Sequence, residues 1–140
     1  MMITLTQYFM GRDKKYPQDL SNEIRENAAK TVSQVNLLLG LAVAQGVTLE
    51  LHPSTGTLVS SGWRPPSVNK ATPGAALRSK HMTGHAIDVY DPDGDLDEWC
   101  LYHLSALESV GLYLEHPSAT KGWCHLQTLP PRSGKRVFFP

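Results

Sequence analysis

The fold is organised around the stretch SKHMTGHAID at residues 79–88, which the triplet WCH at residues 123–125 complements further along the chain. The end of the first stretch is typical of a β-strand, in which alternate side chains point to opposite faces of the sheet. Ile87 and Val89 would therefore point into a core, and Asp88 would point to the other face. The alternation predicts a strand that carries one carboxylate on its open side.

Two histidines are placed to meet that carboxylate. His81 precedes the strand, and Gly84 lets the chain bend back, so that the imidazole can approach Asp88. A second strand over residues 123–127 would put His125 on the open face as well. If the two strands are neighbours, two imidazoles and one carboxylate converge. Three such ligands suit a catalytic zinc ion that keeps its fourth position open for water.

The two cysteines argue against a structural zinc site, which typically has four protein ligands, mostly cysteines. Cys124 is adjacent to His125, so strand alternation turns it away from the metal, and Cys100 belongs to the inner face of a helix. Three ligands with no obvious fourth favour a hydrolytic site. Two cysteines also do not make a disulfide framework, so reduced thiols are expected.

The pattern S-x-H-x-x-G-x-A-x-D at residues 79–88, followed by W-x-H, resembles the zinc D-alanyl-D-alanine carboxypeptidase and endopeptidase family. This family shares its fold with the hedgehog signalling domain and includes phage and bacterial enzymes that cut peptidoglycan peptides. The run SSGWR at residues 60–64 resembles the family's Ser-Gly-Tyr-Arg segment, and Asn69 follows it. The matched segments run from about Leu58 to the C-terminus.

The resemblance implies roles for the residues of these motifs. A zinc ion would be held by His81, Asp88 and His125. Arg64 lies on a rigid corner before two prolines and would hold a substrate carboxylate or a developing oxyanion through two parallel hydrogen bonds. The alternative for Arg64 is an ion pair or a carbonyl clamp within the loop. Ser79 and Trp123 complete the predicted substrate-binding residues.

The catalytic carboxylate departs from the family pattern. A hydrolytic zinc site usually has a carboxylate that takes a proton from the bound water and passes it to the leaving amine. In well-known family members it precedes the second histidine by three positions, and that position is Gly122 here. Glu115 is the substitute candidate for this base, and His116 is the second candidate. The alternative is that Glu115 is a surface acid at the end of a strand.

The remaining patterns outline one domain over residues 1–140, with residues 1–18 as a partly ordered lead-in. Apolar residues at helical spacing predict a helix from Leu20 to Gln45, stopped by Gly46. A β-hairpin over residues 47–60, a loop over 65–80, a helix from 96 to about 110 and a strand at 111–115 complete the outline. Together they predict an α+β fold: a small, mainly antiparallel sheet with helices on one face and the zinc site on the other.

Charge and hydropathy limit the classes of binding partner that the sequence suggests. Thirteen basic and thirteen acidic residues give zero formal net charge, and no basic stripe indicates nucleic acid. No stretch approaches the length of a membrane span, and the N-terminus lacks the features of a secretory signal. Together with the resemblance to phage-type family members, this implies synthesis in the cytoplasm of a host cell, followed by action at the cell wall after delivery by other proteins, or association with a virion.

The function that these patterns favour is a zinc metallopeptidase that hydrolyses peptidoglycan stem peptides, as a phage lysis or virion-associated enzyme. Its partners would be the peptide substrate and phage virion or lysis proteins. The rival hypothesis is a non-catalytic zinc-binding module of the same fold, used as a virion structural part or for partner recognition. Gly122 favours this rival, whereas Arg64 and the open ligand position speak against it.

Overall fold

Five strands form one sheet in the order β1-β2-β4-β3-β5. Neighbouring strands are antiparallel except β3 and β5, which are parallel. The computed structural model describes residues 2–140. The strands are β1 (Val59–Ser61), β2 (Ala86–Asp91), β3 (Tyr113–Glu115), β4 (Gly122–Gln127) and β5 (Val137–Phe138).

Residues 2–140 also contain six α-helices and two 3₁₀ turns. The helices are α1 (Leu5–Phe9), α2 (Arg12–Lys15), α3 (Asn22–Ala44), α4 (Pro66–Ala71), α5 (Asp95–Tyr102) and α6 (Leu104–Ser109), and the 3₁₀ turns are Pro17–Asp19 and Pro117–Ala119. Helices α3, α5 and α6 pack against strands β2, β3 and β4. The fold is α+β with a mainly antiparallel sheet, as the sequence predicts. No helix in residues 2–140 is long and apolar enough to span a membrane.

Helix α3 forms as the apolar spacing predicts. The hydroxyl of Ser21 accepts a hydrogen bond from the amide of Ile24 and caps the first turn. Gly46, at φ +98°, follows the last turn in the left-handed region that glycine adopts without strain. Gly40 does not interrupt the helix, which is continuous from Asn22 to Ala44.

Strands β2 and β4 are neighbours, and Asp88 lies directly opposite His125 in their antiparallel register. One face of the pair is apolar and fully buried, and its members are Ile87, Val89, Cys124 and Leu126. Both cysteines are free and buried. The opposite face carries the polar residues of the motif. The predicted alternation on both strands is confirmed, because every second side chain is in the core.

The N-terminal segment differs from the expected partly ordered lead-in. Residues 4–19 form helices α1 and α2 and a 3₁₀ turn, and Tyr8 and Phe9 are buried in the core. Thr4 and Gln7 make a capping box at the start of α1. The phenolic hydroxyl of Tyr8 donates to the carbonyl of Ala86 at 2.8 Å. The segment therefore packs against the strand that carries the motif.

The predicted hairpin over residues 47–60 is wrong. Residues 47–51 form no strand, and the amide of His52 donates to the carbonyl of Thr57 in a tight loop instead. The second half does form a strand, but Val59 pairs with Val89 of β2. A local pattern cannot distinguish a partner ten residues away from one thirty residues away.

Two other predicted elements change. The loop predicted at residues 65–80 contains α4, because Pro66 occupies the first helical position, where a missing N–H costs nothing. The helix predicted from 96 to 110 is broken at His103, whose backbone leaves the helical region and whose ring stacks on Trp99 at 4.4 Å. Because of this break, Leu104, which one continuous helix would place on the same inner face as Cys100, is 42% exposed.

Candidate metal centre

Three side chains from three segments meet on the open face of the sheet. Asp88 lies in the middle of β2, His125 lies opposite it on β4, and His81 comes from the turn that precedes β2. Asp88 Oδ1 is 3.2 Å from His81 Nε2 and 2.8 Å from His125 Nδ1. The candidate ligand atoms all lie within 4.8 Å of one another. The convergence predicted from the sequence is therefore present.

The orientation of His81 follows from its second ring nitrogen. His81 Nδ1 is 2.8 Å from the carbonyl oxygen of Gly62. A carbonyl only accepts hydrogen bonds, so Nδ1 carries the proton and Nε2 presents its lone pair toward Asp88. An outer N–H held by a carbonyl is the usual arrangement for a metal-ligating histidine.

The electrostatics of the three groups favour a bound cation. Burial alone would raise the pKa of Asp88, but the two imidazoles that face its carboxylate, that of His81 above all, outweigh burial and hold that pKa well below its usual range. Burial is the main cause that lowers the pKa of His81, which favours the neutral form that can ligate a metal ion. Burial also acts to lower the pKa of His125, yet the hydrogen bond and charge of Asp88 raise it. A carboxylate and two imidazoles that face one another are a donor set that fits a divalent metal ion.

Arg64 contacts the same carboxylate. Its Nη2 is 3.2 Å from Asp88 Oδ2, and its Nε donates to the hydroxyl of Ser61 at 2.9 Å. Only 9% of Arg64 is exposed. This contact corresponds to the ion pair that the sequence left open as an alternative, and it leaves Oδ1 to face the two histidines. A role of Arg64 in substrate binding stays a prediction.

The three ligand side chains line an open pocket of about 480 Å³. Of the predicted substrate-binding residues, Ser79 and Trp123 line it together with Arg64. Further basic and aromatic lining residues are Arg78, Lys80, Arg132, Phe138 and Phe139. Asn69 lies behind this wall, where its amide nitrogen donates to the carbonyl of Ala76 at 2.9 Å and holds the loop over residues 72–80 in place.

Glu115 is the candidate base that reaches this pocket. It ends β3 and is half-buried, and continuing the pairing of β3 with β4 by one residue places it opposite His125. Burial is the main cause that raises the pKa of Glu115; the charge of His125 lowers it and that of Asp88 raises it. His116 instead contacts Ser118 through Nδ1 and stacks on an aromatic ring of the tail. The catalytic role of either residue stays a prediction.

The position at which the family usually has its catalytic carboxylate is occupied by Gly122, which has no side chain. It begins β4 at φ +100°, a conformation that other residues rarely adopt, and it pairs with Asp91 at the far end of the strand. It lines a second surface pocket rather than the one that contains the ligands. An acidic side chain at this position would be strained and would point away from the metal centre.

Two contributors were missed by sequence reasoning. The Nε2 atom of His125 lies 2.9 Å from Oε1 of Gln127, and the Phe138 ring meets the imidazole edge to face at a centroid distance of 6.1 Å. Strand alternation placed Gln127 on the correct face but gave it no role. Nothing in the sequence indicated Phe138, because β5 joins the sheet through pairing with a distant strand.

An α+β domain with two histidines and one carboxylate in an open pocket has the ligand set of a mononuclear metallohydrolase. The Peptidase M15 family matches residues 19–125, and the chain belongs to this family. Peptidases of this family are metallopeptidases, and the group of His81, Asp88 and His125 could bind their metal ion. Comparisons with curated proteins and with solved structures gave no match.

Proposed function

We propose that the protein is a zinc-dependent peptidase that hydrolyses peptide bonds in peptidoglycan stem peptides. The observation that carries this proposal is the convergence of two imidazoles and one carboxylate in a pocket that also contains a half-buried glutamate. His81, Asp88 and His125 would hold Zn²⁺. Bound zinc would polarise the scissile carbonyl and lower the pKa of a water ligand to about 7.

Glu115 would move the proton in this reaction. Its carboxylate lines the same pocket as the ligands, and burial raises its pKa, the direction that suits a carboxyl that both accepts and donates a proton. A carboxylate oxygen of Glu115 would accept a proton from water and donate it to the leaving amine. General acid–base catalysis of this kind contributes roughly 10²- to 10⁴-fold to the rate.

The pocket wall favours an anionic peptide. Arg78, Lys80 and Arg132 line the pocket, and its ligands and Glu115 supply two carboxylates. With zinc bound, the balance of charge would be positive, which attracts substrates with free carboxylates. Stem peptides carry such carboxylates at their ends and side chains. Ser79 and Trp123 would contact the peptide, as either a carboxypeptidase or an endopeptidase requires.

The biological setting belongs to the same proposal. A phage lysis or virion-associated enzyme would be made in the cytoplasm of its host and act at the cell wall after delivery by other proteins. Phage virion or lysis proteins would be its partners. Support for this setting comes only from analogy with the phage-type members that the motifs resemble.

The test is release of new amino groups from purified peptidoglycan. Wild type, zinc-stripped protein, His125→Ala and Glu115→Gln are compared, with Glu108→Gln as the control because this glutamate is exposed on α6. We expect cleavage that needs zinc and His125, a loss of about 10²- to 10⁴-fold in kcat for Glu115→Gln with zinc still bound, and no loss for the control. Full activity of Glu115→Gln would remove this residue from the mechanism.

A second candidate function is a non-catalytic zinc-binding module. Gly122 favours it, because the carboxylate that the family usually places three residues before the second histidine is missing. The same assay separates the two candidates. Tight zinc binding without cleavage of cell walls from several chemotypes would support the binding module and exclude the peptidase.

A further inference from the structure

A chain of two contacts runs from the backbone at Leu129 to the imidazole of His125. The side-chain nitrogen of Gln127 donates to the carbonyl of Leu129 at 2.8 Å. The side-chain oxygen of Gln127 lies 2.9 Å from His125 Nε2. Because the Leu129 carbonyl only accepts, the amide of Gln127 has one favourable orientation, with its nitrogen toward Leu129 and its oxygen toward the histidine.

We propose that Gln127 is a positioning residue that fixes the tautomer and the ring orientation of the metal ligand His125. The oxygen of Gln127 is an acceptor, so His125 Nε2 must carry a hydrogen. A metal-bound imidazole has one N–H, so with the hydrogen on Nε2 the metal ion would bind Nδ1, the atom that lies 2.8 Å from Asp88 Oδ1. The proposal rests on the zinc site of the proposed function and adds a residue that the family match, which ends at residue 125, does not include.

The position of Gln127 is rigid enough for this role. It is the last residue of β4, pairs with Ala86 on one side and Tyr113 on the other, and is 4% exposed. A residue two positions from His125 on a strand points to the same face, so the amide and the imidazole lie side by side. The edge-to-face contact with Phe138 limits rotation of the imidazole from another direction.

The contacts of Gln127 also argue against a role limited to substrate binding. It lines the pocket, but its oxygen and its nitrogen are both engaged within the chain. An amide whose task was to bind a peptide would leave at least its acceptor free for the substrate. The two engaged ends instead connect the backbone to the outer nitrogen of a ligand, which is how metal-ligating histidines are oriented in general.

The test compares three variants with the wild type. Gln127→Met removes the acceptor and keeps the side-chain length, whereas Gln127→Glu has a similar shape and keeps an acceptor for Nε2–H but loses the donor to the Leu129 carbonyl. Gln34→Met is the matched control, because Gln34 donates to the carbonyl of Val110 at 2.6 Å but has no contact with a candidate ligand. Zinc affinity is measured by competition with a chelator. The tautomer is read from ¹⁵N shifts of the imidazole in the zinc-loaded protein, in which one ring nitrogen binds the metal and the other carries the hydrogen.

We expect the Nε2–H tautomer of His125 in the wild type and in Gln127→Glu, and a mixture of tautomers in Gln127→Met. The zinc dissociation constant should rise about 10- to 100-fold in Gln127→Met only. Unchanged affinity and tautomer in Gln127→Met would overturn the proposal, as would equal losses in Gln127→Met and Gln127→Glu, which would indicate packing alone. A wild type that binds no zinc would refute the proposed metal site and this proposal with it, whereas zinc bound equally well by the wild type and by Gln127→Met would overturn this proposal alone.

Discussion

His81 and His125 reach Asp88 from two segments, and the rest of the chain holds their outer nitrogens in different ways. The outer nitrogen of His81 lies on the backbone carbonyl of Gly62, whereas that of His125 lies on the side chain of Gln127. The brace on His125 is local, since it comes from two residues further along one strand. The brace on His81 depends on where the backbone at Gly62 is placed.

The N-terminal segment fixes that backbone. A Cβ atom at Gly62 would lie 1.8 Å from the carbonyl oxygen of Tyr8, so only glycine permits this approach. The amide of Trp63 donates to the same Tyr8 carbonyl at 3.3 Å, and Arg12 Nη1 donates to the carbonyl of Trp63 at 2.8 Å. One histidine is therefore held by non-local packing and the other by a single side chain. Mutations that disturb the position of His81 should therefore have different effects from mutations that disturb the position of His125.

The largest effect is expected for Gly62→Ala. Because the new methyl group would collide with backbone rather than with a flexible side chain, the N-terminal segment must detach, at a cost above about 4 kcal/mol in unfolding free energy. Denaturant unfolding measures the cost. Gly40→Ala is the control, since its Cβ meets nothing within 4 Å in a helix, and it should stabilise the protein by about 1 kcal/mol. Equal stability of both variants would contradict the packing described for Gly62.

The second-largest effect is expected for Gln127→Met, in which zinc should stabilise the protein less than it stabilises the wild type. At zinc concentrations 100-fold above its dissociation constant, the wild type should gain about 2.7 kcal/mol in unfolding free energy. With affinity weakened 10- to 100-fold, Gln127→Met should gain only about 0.4 to 1.4 kcal/mol at the same zinc concentration. Unfolding with and without zinc gives both numbers. His125→Ala serves as the reference without a complete site, and an equal gain in all three proteins would mean that zinc binds elsewhere.

The sequence predicted which three side chains meet, but neither of the two contacts that hold the histidines. Alternation in two strands put Asp88 and His125 on one face, and the glycine before β2 allowed His81 to approach them. These arguments work because a strand has a period of two residues and because His81 and Asp88 are close in sequence. Cross-strand pairing of Asp88 with His125 followed once the strands were taken as neighbours.

The non-local contacts were beyond such arguments. The contact between Gly62 and Tyr8 joins residues that are 54 positions apart, and neither residue has a sequence pattern that indicates the other. An ion pair of Arg64 was one of the alternatives at the sequence level. Whether Arg64 pairs with Asp88 or leaves its guanidinium free depends on how the corner before α4 packs, which the sequence does not indicate. The predicted hairpin was wrong for the same reason, because β1 pairs with the distant strand β2.

A smaller effect is expected for Arg12→Met. The variant removes a charged donor from the carbonyl of Trp63, which should cost about 2 kcal/mol in stability and weaken zinc binding by a few-fold through the displaced carbonyl of Gly62. Chelator competition and denaturant unfolding measure the two losses. Lys14→Met is the control, because Lys14 is exposed on the same helix. Loss of stability with unchanged zinc affinity would show that the N-terminal segment does not position the first histidine.

The smallest effect concerns the layer behind β4, where Asp97 of α5 accepts a hydrogen bond from the hydroxyl of Thr120 at 2.7 Å. Burial raises the pKa of Asp97 to about 6, with the hydrogen bonds of Thr120 and Cys124 acting to lower it and the charges of Asp91 and Glu115 acting to raise it. A folded-state pKa above the unfolded value of 3.8 means that this carboxyl stabilises the fold most below pH 4, and that this contribution is lost as the pH rises through 6.

Asp97→Asn should therefore flatten the stability profile between about pH 4 and pH 6 and stabilise the protein at neutral pH by on the order of 1 kcal/mol. Unfolding free energies measured across this range test the sign. Zinc affinity should not change, because Asp97 lies on the helix side of β4 while the ligands lie on the open side. A parallel change in affinity would mean that the strand transmits the state of its buried face to His125, and that the local brace by Gln127 does not isolate this histidine from the core.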